Sequence, residues 1–213
     1  MRTKEQIDGI LAALEREYPM ADCTLTERDA WRLLVQVRLA AQCTDARVNL
    51  VSGPLFARFP DARSIAESRE GELEELIRSV GLYNSKAKNI RRCCRTLVDE
   101  FGGEIPEAME DLLRLGGVGR KVANLIRGDV FGLGGIVADT HCIRITNKLG
   151  LASSKDPVKV ERQLEVLVPR QRQTDFCHRL VHFGRDCCIA RAPRCDACVL
   201  ADCCDACQKG ESA

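Results

Sequence analysis

Leu115-Gly116-Gly117-Val118-Gly119-Arg120-Lys121 is the stretch on which the fold turns. Upstream, Pro106 opens a predicted helix carrying Leu112, Leu113 and Leu115; downstream, a helix is predicted from Arg120 to about residue 129. The residues between leave room only for a tight turn, whose glycines can take positive φ. Backbone N–H groups in such a turn, beside the N-terminus of the next helix, can converge on a phosphate oxygen. Contacts of that kind hold a nucleic-acid backbone without reading its bases. On the glycines alone an ordinary helix–helix turn fits equally well, because short glycine-rich motifs are common.

Outward from the turn the chain keeps to helical periodicity. Thr3 and Gln6 have capping-box spacing ahead of Ile7, Ile10, Leu11 and Leu14 on one face. Thr26 is placed to cap a helix carrying Trp31, Leu34 and Val35. The next helix begins near Asp45, read as its cap, and Gly53-Pro54 is expected to break or kink it. A helix over 72–80 should stop at Gly81, and another, over 86–101, at Gly102-Gly103. Beyond Gly132–Gly135, helices are predicted over 140–149, 157–167 and 175–183, with Asp156 before Pro157 as a start signal. The predicted fold class is all-α, and an aromatic content of 4% weighs against an all-β reading.

The 213 residues are 45% hydrophobic and 30% charged, the composition of a globular protein with room for one large domain or two modest ones. With a net charge of only +1, any nucleic-acid surface must be a local patch. Met1-Arg2-Thr3-Lys4-Glu5-Gln6 lacks the apolar core of a signal peptide, and no stretch approaches the roughly 18 apolar residues of a membrane span. The expected location is therefore the cytoplasm, with no membrane partner and with thiols kept reduced. The 13 cysteines then need an explanation other than disulfides, and eight of them lie between Cys177 and Cys207.

Four of these, in the pattern Cys188-x6-Cys195-x2-Cys198-x5-Cys204, are close enough in sequence to hold an iron–sulfur cluster. Cys195-x2-Cys198 alone would also suit a structural zinc. Cys187, Cys203 and Cys207 read as bystander thiols. The basic run Lys86, Lys88, Arg91, Arg92 and Arg95 reads mainly as a solvated face.

Arg120-Lys121-Val122-Ala123-Asn124, Ala138-Asp139-Thr140-His141 and the four-cysteine spacing together resemble the endonuclease III family of helix-hairpin-helix DNA glycosylases. The resemblance implies a bifunctional DNA glycosylase and AP lyase of base excision repair. Such an enzyme removes oxidised pyrimidines and nicks 3′ to the abasic site by β-elimination. Lys121 is then the nucleophile, Asp139 assists it, and Cys188, Cys195, Cys198 and Cys204 hold a [4Fe–4S] cluster. A neutral amine can displace the base at C1′ and form a Schiff base with the opened sugar. Lysine must shed its proton to do so, so partial burial is expected for Lys121, with Arg120 beside it.

By the same resemblance Gln42, in Leu39-Ala40-Ala41-Gln42-Cys43-Thr44-Asp45, enters the gap left by the extruded nucleotide. Leu82, in Gly81-Leu82-Tyr83-Asn84-Ser85-Lys86-Ala87, wedges against the opposite strand. Read without the resemblance, Gln42 is a helix-terminal amide and Leu82 a post-helix hydrophobic contact. Gly117, Gly119, Arg120, His141, Arg191 and Arg194 complete the expected DNA contacts. The expected partner is double-stranded DNA with damaged bases or abasic sites, bound by a monomer that is nucleoid-associated when on DNA.

Two helical lobes are expected: residues 21–131, ending in the hairpin, and residues 1–20 with 132–213, carrying the cluster loop. DNA would run through a cleft between them, with Lys121 and Asp139 on opposite walls. Gly116 stands where the family commonly has proline, which should loosen the unbound turn by up to about 1 kcal/mol. Ala40 stands where relatives often have serine. Adenine glycosylases of the superfamily generally replace the lysine by serine and carry a further C-terminal domain, which argues against them here. A non-catalytic DNA-binding module would use the same hairpin, whereas an electron-transfer protein would leave it unexplained.

Overall fold

The computed structural model describes residues 2–210, and among them no residue lies in a β-strand. In chain order the α-helices are α1 (Lys4–Glu17), α2 (Ala30–Leu39), α3 (Asp45–Arg58), α4 (Ala62–Ala66), α5 (Glu72–Leu76) and α6 (Tyr83–Phe101). They continue as α7 (Met109–Leu112), α8 (Arg120–Asp129), α9 (Thr140–Lys148), α10 (Pro157–Leu167), α11 (Gln173–Asp186) and α12 (Asp205–Gln208). The chain divides into two compact units, Cys23–Phe131 and Met1–Asp22 with Gly132–Ala213. No helix among the described residues is long and apolar enough to cross a membrane.

The Cys23–Phe131 unit holds α2 to α8. Its spine is α6, whose Lys86, Ala87, Ile90, Cys93, Cys94 and Leu97 recur at helical spacing and are buried. Against that face pack Leu39, Val48, Leu55, Ile65, Leu73 and Ile77 from the surrounding helices. Several local expectations fail here. Asp29, not Thr26, caps α2 by accepting from the Arg32 amide at 3.3 Å. Thr26 instead shares a polar network with Asn49 and with Gln36, whose buried amide donates to Ser52 at 2.8 Å. Thr44 rather than Asp45 caps α3, and α3 runs through Pro54 unbroken. Val51, Leu55 and Phe56 are buried on one side while Leu50, Gly53 and Pro54 face solvent. Packing of the inner face thus outweighs the hydrogen bond lost on the wet side. The helix predicted from Pro106 shortens to α7, and α6 starts at Tyr83, earlier than its sequence signal.

In the other unit α11 packs on α1 and α9. Ile10, Leu14, Ile145, Leu164, Phe176, Leu180 and Phe183 form its centre. The Thr3–Gln6 capping box is present, and Asp156 caps α10 ahead of Pro157. Arg2 donates to the Leu149 carbonyl at 2.8 Å and to Asp205 at 2.5 Å, which ties the cysteine-rich tail to the end of α9.

Within the first unit Arg91 of α6 grips Glu74 of α5 through two nitrogens, at 2.8 and 2.5 Å, with both side chains largely buried. The Arg91 guanidinium holds the Glu74 carboxyl below its ordinary 4.5. A carboxylate with a depressed folded value contributes its stability above the unfolded value and loses it as pH falls through the folded one. Glu74→Gln should therefore cost about 1.5–3 kcal/mol at pH 7, measured by urea unfolding. The gap to the wild type should narrow only once the pH drops below about 4.5.

Candidate active site and nucleic-acid interface

In the Cys23–Phe131 unit, the hairpin turn closes with the Val118 amide on the Leu115 carbonyl at 2.9 Å. Gly117 alone of its glycines takes positive φ, at 77°. A Cβ on Gly117 would run into the Arg38 guanidinium, which donates to the Gly117 carbonyl and so braces the turn against α2. Gly119 is the N-cap of α8 and brings no side chain to the cap. Arg120 and Lys121 occupy the first turn of α8, with Ala123, Asn124 and Ile126 on its buried face. Lys121 is exposed, not partly buried as expected, because its position lies opposite that buried face.

Gln42 and Leu82 are the two non-glycine residues with positive φ among the described residues, at 55° and 46°. Side chains in that region cost about 1–3 kcal/mol each and collect at functional sites. Both are exposed, and both line one cavity of about 160 Å³ with Arg38, Ala41, Ser85, Lys86 and Asn89. Of the basic run, only part faces solvent. Lys86 is buried, and its Nζ donates to the Leu39 and Val80 carbonyls, each at 2.8 Å. Burial lowers its pKa. Arg91 is held by Glu74 and Ser68, and Arg95 by the Ala66 carbonyl at 2.6 Å. Lys86 and Arg38 went unrecognised in the sequence, although Lys86 falls in register with Ile90, Cys94 and Leu97 on the apolar face of α6, a place where lysine needs a partner.

In the other unit Asp139 is the N-cap of α9, its Oδ1 accepting from the Cys142 amide at 2.7 Å. His141 lies on the first turn of α9, and Gly184 of α11 passes so close that a Cβ there would strike its ring. Its Nδ1 is 3.2 Å from Arg144. Cys188, Cys195, Cys198 and Cys204 line one cavity, and Cys187 and Cys207, read as bystanders, line it too. Ile145, Leu149, Phe183 and Leu200 line it with Lys148 and Arg194, and no carboxylate or histidine is among the lining residues. Arg144 donates to the Cys188 carbonyl at 2.5 Å and reaches its Sγ at 3.5 Å. Burial pushes the Cys198 thiol up to about 12, so it gives up its proton only to a strong positive partner. Among the described residues no three His, Cys, Asp or Glu side chains converge tightly enough to hold a single metal ion. Arg191 and Arg194 are exposed on the loop between Cys188 and Cys195, and the Arg194 amide donates to the Cys187 carbonyl at 2.9 Å.

The family model of HhH-GPD superfamily base excision DNA repair proteins matches residues 35–170, which span the hairpin, Lys121 and Asp139. Endonuclease III of Synechocystis sp. is 44% identical over 206 residues, covering 96% of this chain and 94% of that protein. Endonuclease III of Bacillus subtilis is 39% identical over 210 residues, covering 98% and 96%. The solved structure of a trapped endonuclease III–DNA covalent intermediate, an estranged-adenine complex, matches with a TM-score of 0.92 at 38% identity, covering 99% of this chain and 100% of that one. The chain belongs to the endonuclease III family of this superfamily.

If Gln42 and Leu82 are strained for a purpose outside the fold, glycine should relieve them without harming it. Gln42→Gly and Leu82→Gly should leave unfolding free energy unchanged or raise it, by up to about 1 kcal/mol. A loss of more than about 2 kcal/mol in urea unfolding would instead make these side chains part of the core.

Proposed function

We propose that this chain is a bifunctional DNA glycosylase and AP lyase of base excision repair that acts on oxidised pyrimidines in double-stranded DNA. The observation that carries the reading is a primary amine, Lys121, exposed on the first turn of the helix that follows the glycine hairpin. The hairpin amides around Gly117 and Gly119, with Arg120, hold a phosphate and bring the sugar to that amine. Gln42 and Leu82 fill the space left when the damaged nucleotide leaves the stack. His141, Arg191 and Arg194 add contacts from the other unit.

The free amine of Lys121 attacks C1′; the C1′–N bond to the base breaks and the base departs with its electron pair, taking up a proton. Opening of the sugar ring gives a C1′=N Schiff base. Loss of a C2′ proton then expels the 3′ phosphate, and water releases the enzyme. Asp139 assists by facing the cationic intermediate. Its Oδ1 is engaged as the helix cap, so this task falls to the other carboxylate oxygen.

Cys188, Cys195, Cys198 and Cys204 are proposed to hold a [4Fe–4S] cluster. A donor set of thiols with no carboxylate or histidine beside them suits that group. When bound, the group cross-links the tail and fixes the loop that carries Arg191 and Arg194, and no step of the base chemistry needs it.

Borohydride should trap a covalent adduct between the protein and an oligonucleotide bearing an oxidised pyrimidine, and Lys121→Ala should abolish it. Wild-type protein that binds such DNA yet never yields adduct or nick would leave only a binding module. Anaerobically purified protein should contain iron and inorganic sulfide; stoichiometric zinc without sulfide would reject the cluster.

A further inference from the structure

The Lys86 ammonium bonds neither the hairpin nor Gln42 nor the Leu82 side chain, yet it holds the roots of the two segments that carry them. Its ammonium lies between the carbonyl of Leu39, the last residue of α2, and that of Val80, which closes the short 3-10 turn at Arg78–Val80. Both are carbonyls that a helix end leaves without an internal partner. A cation there also meets the negative ends of two helical segments. Gln42 follows Leu39 by three residues, and Leu82 follows Val80 by two. The backbone of Lys86 adds a third tie, since its amide donates to the Leu82 carbonyl at 3.0 Å.

We infer that Lys86 is a positioning residue that sets Gln42 and Leu82 as one rigid pair, so that both enter the duplex together. The inference rests on the reading of Gln42 and Leu82 as the gap-filling residues. All of its contacts lie inside the Cys23–Phe131 unit. The side chain has no other reason to be where it is. A core-facing apolar residue would pack there without a charge to satisfy, whereas a buried ammonium must be hydrogen-bonded. Two left-handed residues that begin within three positions of one shared donor are held from one point. Without that donor, each segment would relax toward ordinary φ on its own.

The test uses the full chain, a duplex carrying a tetrahydrofuran abasic analogue and the same duplex undamaged. Lys86→Met keeps the aliphatic stem and removes the donor. Its preference for the abasic duplex should fall by about tenfold, equivalent to about 1.4 kcal/mol. In a Gln42→Ala/Leu82→Ala background the same change should add no more than about a twofold effect, because residues acting as one unit are not additive. Hydrogen exchange at amides 41–43 and 81–83 should quicken in Lys86→Met while the α8 amides keep their protection. An equal loss in both backgrounds, or unchanged exchange at both segments, overturns the inference. Should the methionine variant not fold, Lys86→Gln retains one donor, and both segments should still exchange faster than in the wild type; wild-type exchange there is equally fatal. Wild-type protein with no preference for the abasic duplex would count against the repair reading, while the exchange data would still decide the role of Lys86.

Discussion

One buried ammonium sets the geometry on which the candidate interface depends. Taking a lysine out of water is costly unless its charge is hydrogen-bonded, and Lys86 meets that cost with two carbonyls at 2.8 Å. The same bonds complete the ends of α2 and of the 3-10 turn, so a single side chain serves two termini that would otherwise keep unsatisfied acceptors. Arg38, one residue before Leu39 on α2, braces the hairpin by donating to the Gly117 carbonyl. The C-terminal turn of α2 therefore anchors three segments: the one ending in Gln42, the one ending in Leu82, and the glycine hairpin. Rigid elements hold the positions, and the exposed side chains at their ends are free to meet a ligand.

The helical architecture was legible because it rests on local signals. The Thr3–Gln6 box, Asp156 before Pro157 and the Arg120–Asp129 register each need only neighbours in sequence, and each appears in the structure. What went unseen depends on distant partners. Pro54 stays inside α3 because Val51, Leu55 and Phe56 are buried by other helices, which no local rule contains. Thr26 loses the cap of α2 to Asp29 because Gln36 and Asn49 claim its hydroxyl. The basic run looked like a solvated face, yet Arg91 and Arg95 are spent on Glu74 and Ala66, partners that precede them in the chain by 17 and 29 residues. Lys121 was placed by its motif, but its exposure follows from which side of α8 is buried, and that is decided by packing.

The family match ends at residue 170, so the case for the cysteine loop is chemical as well as genealogical. Six thiols on one cavity wall with no carboxylate or histidine among them form a donor set suited to soft metals. Burial pushes the Cys198 thiol up, so at that position the neutral form is favoured until a positive partner arrives. If the loop holds the proposed cluster, binding would displace the thiol protons and would be coupled to the order of the tail. Arg144, already on the Cys188 sulfur and carbonyl, would balance negative charge there in the proposed cluster. Cys187 and Cys207 share that wall because one adjoins Cys188 in the chain and the other follows Cys204 on α12. Sequence spacing alone does not separate them from the four.

Strain gives an independent way to tell working residues from supporting ones. A turn that only had to reverse the chain at residue 42 or 82 would take glycine, which enters the left-handed region without steric penalty. Gly81, Gly102 and Gly117 take positive φ in this way. At Gln42 and Leu82 a side chain is instead kept in that region while exposed, so it gives the fold no burial in return. Nothing inside the chain is gained by an amide and an isobutyl group held out in this conformation beside one cavity. Under the proposed function the gain comes from the DNA that binds there. An amide that can hydrogen-bond and an apolar wedge are the two chemistries needed to replace a nucleotide lifted out of a stacked duplex.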